Sequence, residues 1–125
     1  MTEIREIMST DLVSVSPTAT VAEAATVMGG HHVGSALVMD DEELVGIFTE
    51  RDILKALSQD FDAPTHQVTN WMTRDPKTVR PDTSVNEALQ LMLSEGFRHL
   101  PVCDGARPVG IVSLRDVSRA ATASP

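Results

Sequence analysis

A hydroxyl residue followed three positions later by an aspartate occurs twice in this chain of 125 residues, each time after a Val-Gly-Ile segment. The pairs are Thr49 with Asp52 and Ser113 with Asp116. This spacing is typical of helix capping, because hydroxyl and carboxylate oxygens can accept hydrogen bonds at the start of a helix. It also suits a polyol ligand, since one carboxylate can accept hydrogen bonds from two vicinal hydroxyls, as acidic residues do for ribose. The two roles are compatible.

Two basic residues precede an apolar segment in the second half of the chain. Arg98 and His99 could donate hydrogen bonds to phosphate oxygens. Gly34 and Ser35 hold the corresponding positions of the first half and would leave space and backbone N–H groups there. An equally open interpretation is that neither residue binds a ligand. Arg98 would then be a solvated surface cation, and His99 would be a hydrogen-bonded residue near the core.

Other reactive residues lack the surroundings that chemistry requires. The His31-His32 pair has no neighbouring Cys or His at metal-ligand spacing, so no metal site is expected. Cys103 lies in an apolar run and is expected to be a small buried residue. The chain has no nucleophile elbow, phosphate-binding loop or paired general acid and base, so we expect no enzyme activity.

Charge and composition exclude several classes of protein. The net charge of −8 argues against nucleic-acid binding, which needs a basic face. The first 64 residues carry −9 and the remainder +1, so the half with Arg98 and His99 is nearly neutral. No apolar stretch is long enough for a membrane helix, and the charged N-terminus is no signal peptide. A single cysteine fits a reducing compartment, so the chain is expected to be cytoplasmic.

The chain contains an internal repeat. Shifting the sequence by 64 positions gives 16 identities over residues 8–57 without a gap. Met8 meets Met72, for example, and Gly46 meets Gly110. The identities fall on turn and apolar positions that a shared fold would need. We therefore predict two repeats, residues 1–62 and 63–125, that together form one module.

The sequence pattern of each repeat predicts strands and helices in the order β-α-β-β-α. Thr20 and Ser84 precede a glutamate by three positions, which indicates the start of a helix. Gly29-Gly30 and Gly96 indicate where these helices end. The last two strands are expected to pair as a hairpin. The predicted strands are Leu12–Ser16, Ala36–Met39 and Leu44–Phe48, then Lys77–Arg80, Leu100–Cys103 and Val109–Val112; the predicted second helices are Glu50–Leu57 and Leu114–Ala121.

The ordered set of motifs, in two copies over residues 4–121, resembles a pair of cystathionine-β-synthase (CBS) domains, also called a Bateman module. The carrying motifs are Met-(Ser/Thr)-x-Asp, then (Thr/Ser)-Val-x-Glu-Ala, then Val-Gly-Ile-x-(Thr/Ser)-x-x-Asp. The resemblance implies an α/β fold in which two repeats pack about a pseudo-twofold axis. It also implies homodimers and adenosine-containing ligands bound in clefts between the repeats.

The resemblance implies two possible pockets. In the favoured one, Ser113 and Asp116 hold the ribose, and Val13 with the Val33-Gly34-Ser35 segment lines the adenine. In the other, Thr49 and Asp52 hold the ribose, opposite Lys77 and the Phe97-Arg98-His99 segment. Arg98 and His99 are placed for phosphates in either pocket.

The leading hypothesis is a stand-alone regulatory module that binds AMP, ADP or ATP as a regulatory ligand, with no catalytic cofactor. It would signal through oligomer geometry or through an unidentified partner protein. The alternatives are a structural dimerisation or protein-interaction module without a nucleotide, or a binder of S-adenosylmethionine or NAD. A metal or nucleic-acid binder is a weaker rival, and no membrane partner is expected.

Overall fold

The computed structural model describes residues 1–123, which form two compact units. Unit A is Val13–Pro76, and unit B combines Met1–Leu12 with the chain from Lys77 onward. The first twelve residues therefore pack with most of the second repeat. The division of the sequence at residues 62 and 63 stays a prediction, and residues 124 and 125 of that second repeat lie outside the described residues.

Unit A is a four-stranded sheet with two helices. The sheet order is β1-β2-β3-β4, with β1 parallel to β2 and the other neighbours antiparallel. The predicted hairpin is confirmed, and both of its strands are longer than expected. The elements are β1 (Ser14–Val15), α1 (Val21–His31), β2 (Ser35–Asp40), β3 (Glu43–Thr49), α2 (Glu50–Gln59) and β4 (Thr73–Arg74).

Unit B repeats this plan with a smaller sheet. Its hairpin of β5 and β6 is confirmed, and it carries the same irregularity in register near its middle as the hairpin of unit A. The elements are α3 (Val85–Glu95), β5 (His99–Asp104), β6 (Arg107–Ser113) and α4 (Leu114–Ala123).

The strand expected at Lys77–Arg80 is wrong: only Val79 forms a bridge, to Val102. In unit A, the Leu37 N–H donates to the Val13 carbonyl at 2.9 Å and extends the equivalent pairing. Pro101 stands at the position that matches Leu37 and has no N–H to donate. Because Pro101 cannot donate this hydrogen bond, the pairing in unit B is reduced to the single bridge between Val79 and Val102.

Both predicted helix starts are confirmed, with one difference between them. Thr20 and Glu23 exchange two hydrogen bonds of 3.1 Å, which is a complete capping box. The Ser84 hydroxyl accepts from the Glu87 N–H at 3.1 Å, without the reciprocal bond to the Ser84 backbone. Ser84 instead forms a bridge with Glu3 of the N-terminal segment.

The predicted end of α1 at Gly29-Gly30 is wrong, because the helix continues through both glycines to His31. The stop is His32, whose φ of 55° is left-handed and whose N–H donates to the Gly29 and Met28 carbonyls. Gly96 ends α3 at the equivalent position with φ 75°, as predicted. The cap geometry decides where these helices end, and a helix tolerates glycine in its last turn.

Replacing His32 with glycine is expected to raise the free energy of unfolding by about 0.5–1 kcal/mol. Relief of the left-handed conformation exceeds the extra entropy of glycine in the unfolded chain. Urea unfolding checks this, with Gly96→His as the reciprocal variant, which should lose stability. Equal stability of all three chains would contradict the capping argument.

Each unit encloses its own apolar core. Val, Ala, Leu and Met side chains supply most of the buried volume, as the low aromatic content requires. Ile4 is fully buried in the core of unit B, which ties the N-terminal segment to that unit. The buried members are Val13, Val21, Ala24, Met28, Ala36, Val38, Phe48 and Val68 in unit A, and Ile4, Val79, Val85, Ala88, Met92, Leu100, Val102, Val112 and Val117 in unit B.

A methionine covers the same glycine of the hairpin in each unit. A Cβ atom on Gly46 would lie 2.5 Å from the Met72 sulfur and 2.9 Å from the Thr73 carbonyl oxygen. A Cβ atom on Gly110 would lie 2.5 Å from the sulfur of Met8. The methionine that opens each repeat therefore packs on the glycine of the other repeat's third strand. This close approach requires glycine at both positions.

Candidate functional site

The first hydroxyl–aspartate pair lies where β3 ends and α2 begins in unit A. Thr49 is the N-cap residue, and its hydroxyl accepts from the Asp52 N–H at 3.3 Å. Asp52 Oδ2 accepts from the Thr49 N–H at 2.9 Å and from the Thr49 hydroxyl at 3.2 Å. This carboxylate is half-buried and already committed to the cap, so the capping interpretation is confirmed here.

Burial raises the pKa of the Asp52 carboxyl above its ordinary value of 3.8, against the opposing effects of the Thr49 hydrogen bonds and of Lys55 and Arg51. The folded state consequently holds its proton more tightly than the unfolded chain does. As the pH rises, the unfolded chain ionises first, and the stability contributed by this group falls. This stability is lost as the pH rises from the ordinary pKa of the unfolded chain to the raised pKa of the folded chain. Above both pKa values the loss is complete.

Asp52→Asn is therefore expected to gain stability relative to the wild type as the pH rises from about 4 to 7. The asparagine amide oxygen can still accept from Thr49, and it carries no charge to desolvate. Urea unfolding of both chains at several pH values measures the difference between their free energies of unfolding. The other titratable groups are common to both chains, so their contributions cancel in this difference. A difference that stays constant, or reverses, would contradict the raised pKa.

The second pair lies where β6 ends and α4 begins in unit B, and its carboxylate is less constrained. The Ser113 hydroxyl accepts from the Asp116 N–H at 3.2 Å. Within residues 1–123, the Ser113 N–H makes no reciprocal bond to the Asp116 carboxylate, and Asp116 is exposed. A carboxylate in this state keeps its acceptor capacity for the hydroxyls of a ligand.

The strand that leads to each hydroxyl–aspartate pair is hydrogen-bonded to the segment that was predicted to bind phosphate or to leave space for it. In unit B, the Leu114 N–H donates to the Arg98 carbonyl at 2.8 Å, and His99 is paired with Ser113 in the ladder. The structure thus brings Arg98, His99, Ser113 and Asp116 together in one unit. Arg98 is exposed and forms no salt bridge with any described residue. A guanidinium can bind a phosphate bidentately, and a nearby hydroxyl and carboxylate can bind a diol, so these residue types suit a ligand that has both groups.

Unit A has the same backbone arrangement with small residues in place of the basic ones. The Glu50 N–H donates to the Gly34 carbonyl at 3.0 Å, and Ser35 is paired with Thr49. Ser35 is buried, and Gly34 is half-buried. The Thr49 pair therefore has no basic residue at the positions of β2, and just before it, that match Arg98 and His99.

The remaining predicted site residues divide between the units. Val13 is buried and Val33 half-buried in unit A. Lys77, the repeat counterpart of Val13, is exposed in unit B. Phe97 is half-buried there and packs against the core just after the left-handed Gly96.

The sequence interpretation missed the role of the methionine–glycine contacts of Met8 with Gly110 and Met72 with Gly46. Through these contacts the start of each repeat packs on the third strand of the other repeat, and that strand leads directly to a hydroxyl–aspartate pair. All four residues appear among the repeat identities, and that recurrence was the available signal. Their partnership depends on tertiary structure and cannot be read from spacing.

Neither a metal-binding cluster nor a membrane-spanning helix is present among residues 1–123. Residues 1–123 contain no group of three or more His, Cys, Asp or Glu side chains that could hold a metal ion. Cys103 is buried, as predicted, and burial raises the pKa of its thiol. Among the helices described, none has the length and apolar character needed to cross a bilayer.

Comparisons with known proteins agree with this geometry. The family model of the CBS domain matches residues 4–59 and again residues 68–123. An uncharacterised 17.7 kDa protein of Acidianus ambivalens is 47% identical over 122 residues, which is 95% of this chain and 73% of that protein.

Solved structures similar to this chain include complexes with adenosine-containing ligands. The CBS domain pair of protein MJ0100, in complex with 5′-methylthioadenosine and S-adenosyl-L-methionine, has a TM-score of 0.89 at 30% identity and covers 98% of both chains. CBSX2 of Arabidopsis thaliana, in complex with AMP, has a TM-score of 0.82 at 30% identity, again over 98% of both chains. The duplicated family match and the fold make this chain a member of the CBS domain family, with two CBS repeats forming a pair.

Proposed function

We propose that this CBS pair is a regulatory module that binds an adenine nucleotide, AMP, ADP or ATP, at Ser113 and Asp116. The observation that carries the proposal is the grouping of Ser113, Asp116, Arg98 and His99 at the start of α4. Solved family members that bind AMP, or methylthioadenosine with S-adenosylmethionine, support an adenosyl ligand.

The roles of these residues follow from their chemistry. The exposed Asp116 carboxylate accepts hydrogen bonds from the two ribose hydroxyls, and the Ser113 hydroxyl lies next to it. The Arg98 guanidinium, which has no salt-bridge partner among the described residues, binds the phosphates together with His99.

The Thr49 and Asp52 pair is proposed as a weaker second ribose site. Asp52 Oδ2 already accepts two hydrogen bonds from Thr49, and the carboxylate is half-buried. A ribose would compete with the cap for this group. One nucleotide per chain is therefore expected to bind more tightly than a second.

The cationic side chain of Arg98 is the reason to favour a nucleotide over S-adenosylmethionine. A sulfonium ligand carries positive charge near the sulfur, whereas phosphates carry the negative charge that a guanidinium attracts. We place the module in the cytoplasm, in keeping with a single buried cysteine, and propose that it acts by binding rather than catalysis, as a homodimer or on a partner protein.

A thermal-shift panel of AMP, ADP, ATP, S-adenosylmethionine and NADH tests the proposal. A ligand that binds the folded state raises the melting temperature by mass action. We expect the nucleotides to stabilise the chain and S-adenosylmethionine to stabilise it least. No shift with any ligand at millimolar concentration would favour an interaction module without a nucleotide, whereas a shift with S-adenosylmethionine alone would reassign the ligand.

A further inference from the structure

Two methionine sulfurs lie against buried glycines of the hairpins. A Cβ atom on Gly110 would lie 2.5 Å from the sulfur of Met8 and 2.9 Å from its Cγ. A Cβ atom on Gly46 would lie 2.5 Å from the sulfur of Met72 and 3.1 Å from its Cε. Both glycines are buried, whereas both methionines are half-buried. The thioether itself therefore forms each contact, and each methionine keeps some exposure to solvent.

These contacts adjoin short strand pairings. Ser9 follows Met8 and exchanges two hydrogen bonds of 2.9 Å with Ile111. In unit A, β4 directly follows Met72 and is only two residues long. A pairing of one or two residues has few hydrogen bonds of its own, so its stability depends on the side chains packed beside it.

Each pairing lies two residues before a hydroxyl–aspartate pair. Ile111 precedes Ser113 in β6. Ile47, the partner of Thr73, precedes Thr49 in β3. The packing of each methionine therefore supports the strand that carries a capping hydroxyl.

The thioether of a methionine that is not fully buried can react with a peroxide. The sulfur lone pair attacks one peroxide oxygen and the O–O bond breaks, so that the oxygen stays on the sulfur and, with hydrogen peroxide, water leaves. The sulfur is oxidised by two electrons, and the peroxide is reduced by two. The product is a polar sulfoxide, which methionine sulfoxide reductases convert back to methionine.

A sulfoxide does not fit either contact. The sulfur occupies the space in which a Cβ atom would lie, so an added oxygen on that side has no room. The Cα atom of a buried glycine offers no N–H or O–H donor to this oxygen, whereas water solvates it once the pairing opens. We propose that Met8 and Met72 are sites of reversible oxidation by a peroxide, and that the sulfoxide opens the strand pairing beside each contact. The inference goes beyond nucleotide binding and does not depend on it.

The other four methionines of the chain provide internal references. Met28 and Met92 are 3% and 1% exposed, in α1 and α3, and Met1 is 97% exposed. Met39 is half-buried in β2. Oxidation of the folded chain should follow this order of exposure, whereas oxidation through global unfolding would modify all six alike.

Peptide mass spectrometry of the folded chain treated with hydrogen peroxide tests the two sites. Met1 should react first, and Met8 and Met72 should react at least about tenfold faster than Met28 and Met92, because oxidation follows exposure. Equal rates for these four methionines would overturn the proposal. Methionine sulfoxide reductases A and B together should restore the original masses, and a sulfoxide that persists would overturn the reversibility.

Hydrogen exchange of the oxidised chain measures whether the pairings open. The Ile111 amide, which donates to Ser9, should exchange at least about tenfold faster after oxidation. The same is expected of the Asp75 amide, which follows β4 and donates to the Val45 carbonyl at 3.2 Å. Unchanged exchange at both amides, with both methionines oxidised, would overturn the proposal.

Met8→Leu and Met72→Leu are matched controls for each other, because leucine is apolar and lacks the sulfur that a peroxide oxidises. After peroxide treatment, Met8→Leu should keep the slow exchange of Ile111 and lose that of Asp75, and Met72→Leu should show the reverse. Acceleration of both amides in both variants would assign the effect to another methionine and overturn the proposal.

Circular dichroism checks that each leucine variant is folded. If one is not, the singly oxidised species of the wild type, separated by chromatography, give the same comparison between Ile111 and Asp75. These measurements contain no nucleotide, so their outcome is independent of the proposed binding site.

Discussion

Asp116→Ala is expected to weaken the binding of AMP or ATP by about tenfold or more. The substitution removes the acceptor for two ribose hydroxyls, and hydrogen bonds to a charged group are each worth about 1.5–3 kcal/mol. Asp116 is exposed and makes no reciprocal capping bond in the described chain, so its loss should cost little stability. Isothermal titration calorimetry measures the affinity directly.

Asp52→Ala is the matched control in the other repeat. It also removes an aspartate three residues after a capping hydroxyl, but one that is committed to Thr49. The tighter site should keep its affinity in this variant, while the start of α2 loses the bond that the Asp52 carboxylate accepts from the Thr49 N–H. The opposite pattern, with affinity lost in Asp52→Ala and kept in Asp116→Ala, would assign the nucleotide to the Thr49 pair.

Arg98→Ala separates the phosphate contacts from the ribose contacts. Its effect should grow with the number of phosphates, so ATP loses more affinity than AMP and adenosine loses least. Asp116→Ala should weaken all three ligands alike, because they share the ribose. Equal loss for adenosine and ATP in Arg98→Ala would remove Arg98 from the phosphate site.

Gly46→Ala is expected to destabilise the chain by about 1–3 kcal/mol, the usual cost of forcing atoms into a packed site. Its new methyl group would meet the sulfur of Met72, which can move, and the carbonyl oxygen of Thr73, which belongs to a paired strand. The backbone contact sets most of the cost. Urea unfolding followed by circular dichroism measures it.

Gly29→Ala is the control for that substitution. A Cβ atom at Gly29 meets nothing within 4 Å, and the residue lies in α1. Alanine there should stabilise the chain by about 0.5–1 kcal/mol through its helix propensity. If Gly46→Ala behaved like Gly29→Ala, the methionine would not be packed on the strand as described.

Much of the fold follows from local patterns in the sequence. The hydroxyl-to-acid spacing at Thr20, Ser84 and Thr49 locates three helix starts, because capping is a local interaction. The end of α1 cannot be predicted in the same way, because His32 adopts the left-handed conformation that glycine usually adopts at the end of a helix. The shortened pairing at Val79 depends on Pro101, which lies distant in sequence and acts through an absent donor.

The candidate site is only partly predictable for a similar reason. Both hydroxyl–aspartate pairs have the same spacing, so the sequence cannot distinguish the committed Asp52 from the exposed Asp116. That difference arises from burial and from the exact position of one carboxylate. The packing of the first twelve residues with the second repeat also depends on long-range pairing, of Ser9 with Ile111 for example.

The most direct test of the central claim is an NMR titration of the isotope-labelled chain with AMP. Binding at the start of α4 predicts that the backbone amides of Leu114, Arg115 and Asp116 shift first, with those of Arg98 and His99. The amides of Glu50, Arg51 and Asp52, at the start of α2, should shift later or less. Early shifts confined to the start of α2, or no shifts at millimolar AMP, would contradict the account.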